Sequence, residues 1–300
     1  MLPAPFTPST HALLDGILDY AGTFPPASLT LADALAEHAR ARNSADAWLL
    51  GRFVLPAVNL SDFERLAPGV VSDERANPWE LSVILSADSR SQLERVHAFN
   101  ETWAGKVHVA AVEFGPVPVP EIAALARAVP GGLEMFFEAP LDADLERRLR
   151  ATDAAGAAAK IRTGGTTAGT SPTPAGIVHF LETAGEAGVA FKATAGLHHA
   201  MRGCYPLTNH AGSHTETMHG FLNLAVAASL VRTDRPQPDA LDALVESSVD
   251  AFEFRSDGLR WRGRTIPTLD LADTRARFFR SFGSCAFQEP ADELRRLHRP

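Results

Sequence analysis

Short apolar runs of strand length alternate with longer stretches of helical periodicity along most of the chain, and glycine or proline separates them. This alternation is typical of parallel βα units. The runs with the length of a strand cover residues 17–24, 48–56, 81–87, 107–115, 133–140, 157–164, 189–196 and 219–227. A (β/α)8 barrel uses about 250 residues plus insertions, so the 300 residues predict one α/β protein with a TIM-type barrel.

The last quarter of the chain departs from this alternation. A helical stretch, LDALVESS, precedes the alternating segment AFEFRSDGLRWRGRTI, in which Asp257-Gly258 indicates a hairpin turn. We therefore expect the barrel to occupy residues 1–231. Residues 232–300 are expected to form a C-terminal extension of a helix, a hairpin and two helices, packed on the barrel within the same domain.

Composition excludes several classes of protein. With 45% hydrophobic and 21% charged residues, the chain is neither disordered nor collagen-like, and its net charge of −8 disfavours nucleic acid and anionic membranes as partners. Cys204 and Cys285 have no zinc-type spacing, and the N-terminal segment lacks the pattern of a signal peptide. We expect a cytoplasmic protein with no membrane partner, and the sequence is compatible with a homo-oligomer.

Lysine is rare in this chain. The basic residues comprise 25 arginines and only three lysines, Lys106, Lys160 and Lys192. Arginine serves in ion pairs at least as well as lysine, so a retained lysine points to amine chemistry. Lys106 lies in a polar stretch and fits a surface position. Lys160 and Lys192 end the sixth and seventh predicted strands, where the active sites of parallel barrels lie.

Two lysines side by side in a barrel interior predict a nucleophilic amine. Burial and the neighbouring like charge both disfavour the ammonium form, so we expect each lysine to lower the pKa of the other. A neutral lysine can attack a carbonyl carbon and form a Schiff base. The alternative is that each lysine pairs with a carboxylate such as Glu138 or Glu113 in a structural polar layer.

Four segments resemble the deoxyribose-phosphate aldolase family of class I aldolases. AAAKIRTGG, followed 32 positions later by the lysine of FKATAGL, is similar to the two lysine motifs on strands six and seven of that family. LDYAGTFPPASLTLADALAEH and LEMFFEAPLDADLERRL resemble its strand-one and strand-five segments in the same order. The resemblance covers residues 17–200, and its lysine motifs are specific only as a pair.

The resemblance implies roles for four residues. Lys160 would form the Schiff base, Lys192 would be its electrostatic partner, Asp19 a polar residue of strand one and Glu138 the carboxylate of strand five. The family's aspartate on strand four has no clear equivalent, and Glu113 is the nearby carboxylate. The family's phosphate-binding glycines are also incompletely matched, so we expect a small carbonyl substrate without a phosphate group, and no cofactor.

Residues near the predicted strand ends are candidates for substrate contacts. Arg162 follows Lys160 by two positions, which places both on one face of the strand, and its guanidinium could bind a substrate carboxylate. The expected substrate contacts are Arg162, Thr163, Gly164, Thr194, Gly196, His198, His199 and Asn223.

Two rival functions remain open. His198, His199, His210, His214 and His219 crowd one predicted loop over the barrel mouth, so a metal-dependent hydrolase or lyase using this loop with Glu138 or Glu113 is an alternative. Their spacing matches no zinc motif, and we expect no metal. A barrel that binds a metabolite without catalysis is the second alternative. The favoured reading is a class I aldolase-like lyase.

Overall fold

The structure is a computed structural model that describes residues 6–71, 77–86, 88–208, 212–233 and 237–297. Its strands, in chain order, are β1 (Leu18–Tyr20), β2 (Leu50–Pro56), β3 (Trp79–Ile84), β4 (Val107–Pro116), β5 (Glu134–Glu138), β6 (Ala158–Arg162), β7 (Phe191–Thr194), β8 (Gly203–Pro206), β9 (Thr215–Met218), β10 (Phe252–Phe254), β11 (Gly258–Trp261), β12 (Arg264–Pro267) and β13 (Phe279–Ser284).

Helices follow most of the barrel strands. In chain order they are α1 (Pro8–Leu14), α2 (Leu31–Arg42), α3 (Leu60–Leu66), α4 (Ser89–Thr102), α5 (Val119–Ala128), α6 (Leu145–Ala154), α7 (Pro174–Glu186), α8 (Phe221–Arg232), α9 (Gln237–Val245), α10 (Thr268–Arg277) and α11 (Gln288–Leu297). In the described ranges, no helix has both the length and the apolar character that crossing a membrane requires.

Eight parallel strands close a barrel in the order β1-β13-β7-β6-β5-β4-β3-β2. The predicted (β/α)8 architecture is therefore confirmed, and the first seven predicted strands correspond to β1 to β7. All eight strands run in the same direction, so their carboxyl ends meet at one mouth of the barrel. This mouth collects the polar side chains that end the apolar strands.

The predicted eighth strand, 219–227, is wrong. Most of this segment belongs to α8, in which every residue from Phe221 to Leu230 is buried. A helix buried on all sides has no polar face, so its sequence is a continuous apolar run. Periodicity alone cannot distinguish such a run from a buried strand.

The barrel is closed by β13, which pairs with β1 on one side and β7 on the other. This strand lies within residues 232–300, so the expected division at residue 231 cuts through the barrel. Helix α8 packs outside the closing strand, with the rings of Phe221 and Phe282 stacked at 4.8 Å. The segment between β7 and β13 is thus a long insertion between two adjacent barrel strands.

The insertion contains two small antiparallel sheets. Strands β8 and β9 form a hairpin, and β10, β11 and β12 form a three-stranded sheet. The hairpin predicted at Asp257-Gly258 is confirmed, because Phe254 of β10 pairs with Leu259 of β11 across it. Helices α10 and α11 come after this sheet in the chain, one before and one after β13. They correspond to the two helices that were predicted near the C-terminus.

Candidate active site

Three of the predicted site residues lie side by side on neighbouring strands. Lys160 on β6 pairs in register with Lys192 on β7 and with Glu138 on β5. Only 4% of Lys160 and 1% of Lys192 is exposed. The chain therefore brings two buried lysines and a carboxylate together inside the barrel, toward its carboxyl mouth.

Lys192 is held by two carboxylates. Its Nζ lies 2.6 Å from Oδ2 of Asp19 and 2.7 Å from Oε1 of Glu113, and it also lies over the ring of Phe136. Burial alone would lower the pKa of Lys192, but the two carboxylates outweigh it and raise the pKa above its ordinary value. The expectation that the lysines depress each other's pKa is thus wrong for Lys192, which stays an ammonium ion.

Glu113 connects the two lysines. Its Oε1 accepts hydrogen bonds from Lys192 and from the Ser82 hydroxyl at 2.7 Å each, and its Oε2 lies 3.3 Å from Nζ of Lys160. Burial would raise the pKa of Glu113, but Lys192 and Lys160 together lower it to about 2. Glu113 is therefore ionised and is the common counterion of both lysines.

Asp19 fixes Lys192 from the other side. Its Oδ2 accepts a hydrogen bond from the Ser281 hydroxyl at 2.7 Å as well as from Lys192, and its Oδ1 accepts one from the backbone N–H of Arg52 at 3.0 Å. The carboxylate thus ties the ammonium to β1, β2 and β13. Lys192 has no freedom to move toward a ligand without breaking this network.

Lys160 is held less tightly than Lys192. Its Nζ lies 3.3 Å from Glu113 and 3.5 Å from Oε2 of Glu138, both longer than the contacts of Lys192. Both Lys160 and Glu138 line a cavity of about 390 Å³ at the barrel mouth. This volume is within the range of small-molecule sites.

The cavity combines a charged floor with apolar walls. Arg162 shares the lining with Lys160, as the alternation along the strand predicts. In the described chain, no carboxylate forms an ion pair with Arg162. The lining also includes Glu113 and Lys192, together with Phe24, Val54, Ile84, Leu85, Gly165, Thr166, Thr194, Gly196, His198 and Cys285.

Two loops beside the cavity touch through their backbones. A Cβ atom added to Gly196, which has a φ of +76°, would lie 2.8 Å from the Cα of Gly164. The Thr163 hydroxyl donates a hydrogen bond of 2.6 Å to the carbonyl of Ala195. Thr194 and Gly196 line the cavity, as predicted. Thr163 and Gly164 do not line it, and instead contact the Ala195-Gly196 segment.

The predicted histidine loop does not gather its side chains at one site. His198 lines the cavity, with Nδ1 3.6 Å from Sγ of Cys285. Burial and the neighbouring His199 lower the pKa of His198 to about 4, so it is neutral at pH 7. His219 instead contacts the carbonyl of Pro172 through Nε2. His214 is exposed, and His210 lies outside the described residues.

His199 belongs to a separate group. Its Nδ1 lies 2.8 Å from Oε1 of Glu293, and its ring stacks on Tyr205. His199, Glu289 and Glu293 place potential ligand atoms within 4.8 Å of one another, so these three residues could hold a metal ion. His199 does not line the cavity, contrary to the prediction that it contacts substrate.

Asn223 also lies away from the cavity, although it was predicted to contact substrate. Its Oδ1 accepts a hydrogen bond from the backbone N–H of Arg202, and its Nδ2 donates to the carbonyls of Ala243 and Glu246. The side chain is fully buried. Asn223 joins α8 to the neighbouring loop and helix, because its polar atoms satisfy buried backbone groups.

Sequence reasoning missed the two serines that support the carboxylates. Ser82 donates to Glu113 from β3, and Ser281 donates to Asp19 from β13. Ser82 lies between Leu81 and Val83, a signal that could have identified it, whereas Ser281 lies in a strand with an arginine and a second serine and gives no such signal. Cys285, which follows β13 and lines the cavity, was also missed because the closing strand was misplaced.

Comparison with protein-family models and with curated proteins gave no match. Among solved structures, the chain is similar to a nitroalkane oxidase from Streptomyces ansochromogenes, with 18% identity and a TM-score of 0.33. The match covers 64% of this chain and 62% of the oxidase, less than two thirds of either. The fold class therefore rests on the strand order of the barrel, and these comparisons show no family.

Proposed function

We propose that the chain is a class I aldolase-like lyase in which Lys160 forms a Schiff base with a small carbonyl compound. The observation that carries this proposal is the unequal treatment of the two lysines. Both lysines line the cavity, but Lys192 is ion-paired at 2.6 and 2.7 Å to two carboxylates, whereas the carboxylate contacts of Lys160 are longer, at 3.3 and 3.5 Å.

This inequality supports Lys160 as the nucleophile. A lysine must lose a proton before its nitrogen can attack a carbonyl carbon. Lys192 has a raised pKa and stays protonated, so it supplies a fixed positive charge beside the reacting centre. Lys160 lines the same cavity with weaker ion pairs, so it is the lysine that can release its proton to a base, and Glu113 contacts both lysines.

Glu138 is the proton carrier best placed for imine formation. It lines the cavity and lies 3.5 Å from Nζ of Lys160, from which it can take the proton as substrate binds. The amine lone pair then attacks the carbonyl carbon, and the oxygen takes a proton from Glu138. The nitrogen returns a proton to Glu138, which passes it to the departing hydroxyl, and water leaves behind an iminium ion.

The same carboxylate completes a carbon-carbon cleavage. Glu138 takes the proton of a hydroxyl group β to the iminium carbon, the carbon-carbon bond breaks, and its electron pair moves to the nitrogen. An aldehyde leaves and an enamine remains on Lys160. Glu138 protonates the enamine carbon, and water hydrolyses the resulting iminium ion to release the second carbonyl product and the lysine.

Arg162 narrows the substrate class. Its guanidinium lines the cavity beside Lys160 without a carboxylate partner among the described residues. A guanidinium in this position suits a substrate carboxylate, which it can bind through two parallel hydrogen bonds. Small carbonyl compounds that carry a carboxylate are therefore the substrates we propose to test first.

Borohydride trapping tests the imine. The protein is incubated with a panel of small aldehydes, ketones and keto acids plus borohydride, and the intact mass and modified peptide are measured. We expect an adduct on Lys160 that is absent from Lys160→Arg and retained in Lys106→Arg. An adduct on Lys192, or no adduct with any carbonyl of the panel, would overturn the proposal.

Glu138→Gln tests the proton transfers. We expect it to lower turnover by about 10²- to 10³-fold and to slow formation of the trapped adduct on Lys160 without moving the adduct to another lysine. The exposed Glu121→Gln on α5 is the matched control and should leave turnover unchanged. Full activity of Glu138→Gln would assign the proton transfers to another group.

The metal-dependent alternative has less support. The described histidines of the loop contact different partners, and the group formed by His199, Glu289 and Glu293 does not line the cavity. Activity that is lost with a chelator and restored by a divalent metal would favour this alternative.

A further inference from the structure

A second cavity lies at the opposite end of the barrel. It has a volume of about 380 Å³ and is lined by residues from the starts of several strands. Four arginines border it, Arg42, Arg52, Arg275 and Arg280. This end of a parallel barrel ordinarily contributes stability and not catalysis, so a charged cavity here calls for a separate explanation.

The acidic residues of this cavity do not neutralise its arginines. Glu134 is shared between Arg52, at 2.7 Å, and Arg280, at 2.9 Å. Asp19 also borders the cavity and attracts Arg52 and Arg275, but it contacts Lys192 as well, at 2.6 Å. The remaining carboxylate is that of Glu80, whose side chain is half exposed and lies 3.5 Å from Arg52.

Arg275 is bound by backbone carbonyls and by no carboxylate of the described residues. Its Nη atoms donate to the carbonyls of Asp15, Gly16 and Phe279, and in the described chain it forms no ion pair. Its Nε is buried and has no hydrogen-bond partner among the described residues. Burial, together with repulsion from Arg280 and Arg52, lowers the pKa of Arg275 to about 10 despite the opposing effect of Asp19.

We propose that this cavity binds a small multivalent oxyanion, such as phosphate or a di- or tricarboxylate, between Arg52, Arg275 and Arg280. Four arginines border the cavity against three carboxylates, one of which, Asp19, also binds Lys192, so positive charge is in excess. Planar guanidinium groups bind the oxygens of carboxylates and phosphates in pairs. The volume accommodates an anion of this size. The site is distinct from the substrate cavity, although Asp19 borders it and also contacts Lys192.

Glu134 makes this proposal sharply testable. As the resident acceptor of Arg52 and Arg280, it competes with any anion that enters the cavity. Glu134→Gln should therefore tighten anion binding, although it lowers the stability of the anion-free protein. A network that serves only stability would lose stability in this variant without gaining affinity for an anion.

The experiment measures thermal unfolding of the full chain with phosphate, sulfate or citrate against sodium chloride at equal ionic strength, and then binding by calorimetry. We expect a saturable rise in Tm with at least one multivalent oxyanion and none with chloride. Arg280→Gln should weaken binding about tenfold. The control Arg277→Gln removes an exposed arginine of α10 and should leave binding unchanged.

Two further variants decide where an anion binds. If Arg280→Gln does not fold, Arg280→Lys retains the charge but removes the planar guanidinium group that donates two parallel hydrogen bonds, and it should also weaken binding. Arg162→Gln alters only the substrate cavity and should not affect binding. The proposal is overturned if no anion exceeds chloride, if Glu134→Gln fails to tighten binding, or if Arg162→Gln abolishes binding while Arg280→Gln does not.

Discussion

Lys160 and Lys192 bind opposite oxygens of one carboxylate, Oε2 and Oε1 of Glu113, at 3.3 and 2.7 Å. The two lysines occupy the same level of adjacent strands, yet the second carboxylate of Lys192, Asp19, lies at 2.6 Å, whereas that of Lys160, Glu138, lies at 3.5 Å. Lys192 is consequently held in its charged form, whereas Lys160 has only the longer contacts, although both line the cavity. This difference in environment is the basis of the different roles that we propose for the two lysines.

Lys192→Met is expected to destabilise the protein strongly. The substitution leaves the buried carboxylates of Asp19 and Glu113 without their shared cation, and removing one partner of a buried ion pair costs about 3–5 kcal/mol. Urea unfolding measures the change in the free energy of unfolding. The control Arg147→Met breaks an exposed ion pair with Asp144 and should cost less than about 1 kcal/mol. Equal losses in the two variants would contradict this account.

Stability should fall in acid because of Glu113. Its pKa is lowered in the folded protein from 4.5 to about 2, so the unfolded chain binds the proton more readily. The contribution of Glu113 is therefore fully present above pH 4.5 and is lost as the pH falls toward 2. Urea midpoints measured between pH 7 and pH 3 test this window. A smaller decline in Glu113→Gln than in the unsubstituted protein is expected; an identical decline would assign the effect to other carboxylates.

Gly196→Ala should disturb the cavity wall more than the rest of the fold. The residue has a φ of +76°, which costs a non-glycine residue about 1 kcal/mol, and the new Cβ would lie 2.8 Å from the Cα of Gly164. We expect a lower Tm and a fall in trapped adduct on Lys160. Gly131→Ala is the control, since an added Cβ there meets nothing within 4 Å. Retention of normal adduct formation in Gly196→Ala would show that the loop contact is dispensable.

The two cysteines should react at very different rates. Cys204 is exposed, whereas Cys285 is buried, and burial raises the pKa of its thiol to about 11. At pH 8 a disulfide reagent such as DTNB should titrate one thiol rapidly and the second slowly. Cys204→Ser should abolish the rapid phase and keep the slow one. Two equally rapid thiols in the native protein would mean that Cys285 is accessible.

The sequence was sufficient to predict the barrel but not its closure. Strands β1 to β7 are short apolar runs bounded by glycine, proline or a helix, and their pattern is clear. The closing strand, Phe279–Ser284, carries an arginine and two serines in six residues, so it is a weak strand signal. Helix α8 is buried from Phe221 to Leu230 and gives a stronger apolar run, which explains the error.

The charged core of the site was predictable because lysine is so rare in this chain. Lys160, Lys192, Glu138, Glu113 and Asp19 do meet in the barrel, through the ion pairs described above. The pKa of Lys192 was not predictable, since it depends on two carboxylates that come from distant strands. For His199 and Asn223, the deciding partners come from α11 and from the region after α8, which local sequence does not reveal.

The position of β13 also affects how the chain folds. Strands β1 and β7 acquire their second neighbour only when Phe279–Ser284 is available. During synthesis, every chain that ends before Phe279 therefore has two unpaired parallel edges and lacks Ser281, which bonds to Asp19. Completion of the barrel and the hydrogen bond that supports Asp19 from β13 therefore both require Phe279–Ser284, which is made after every other barrel strand.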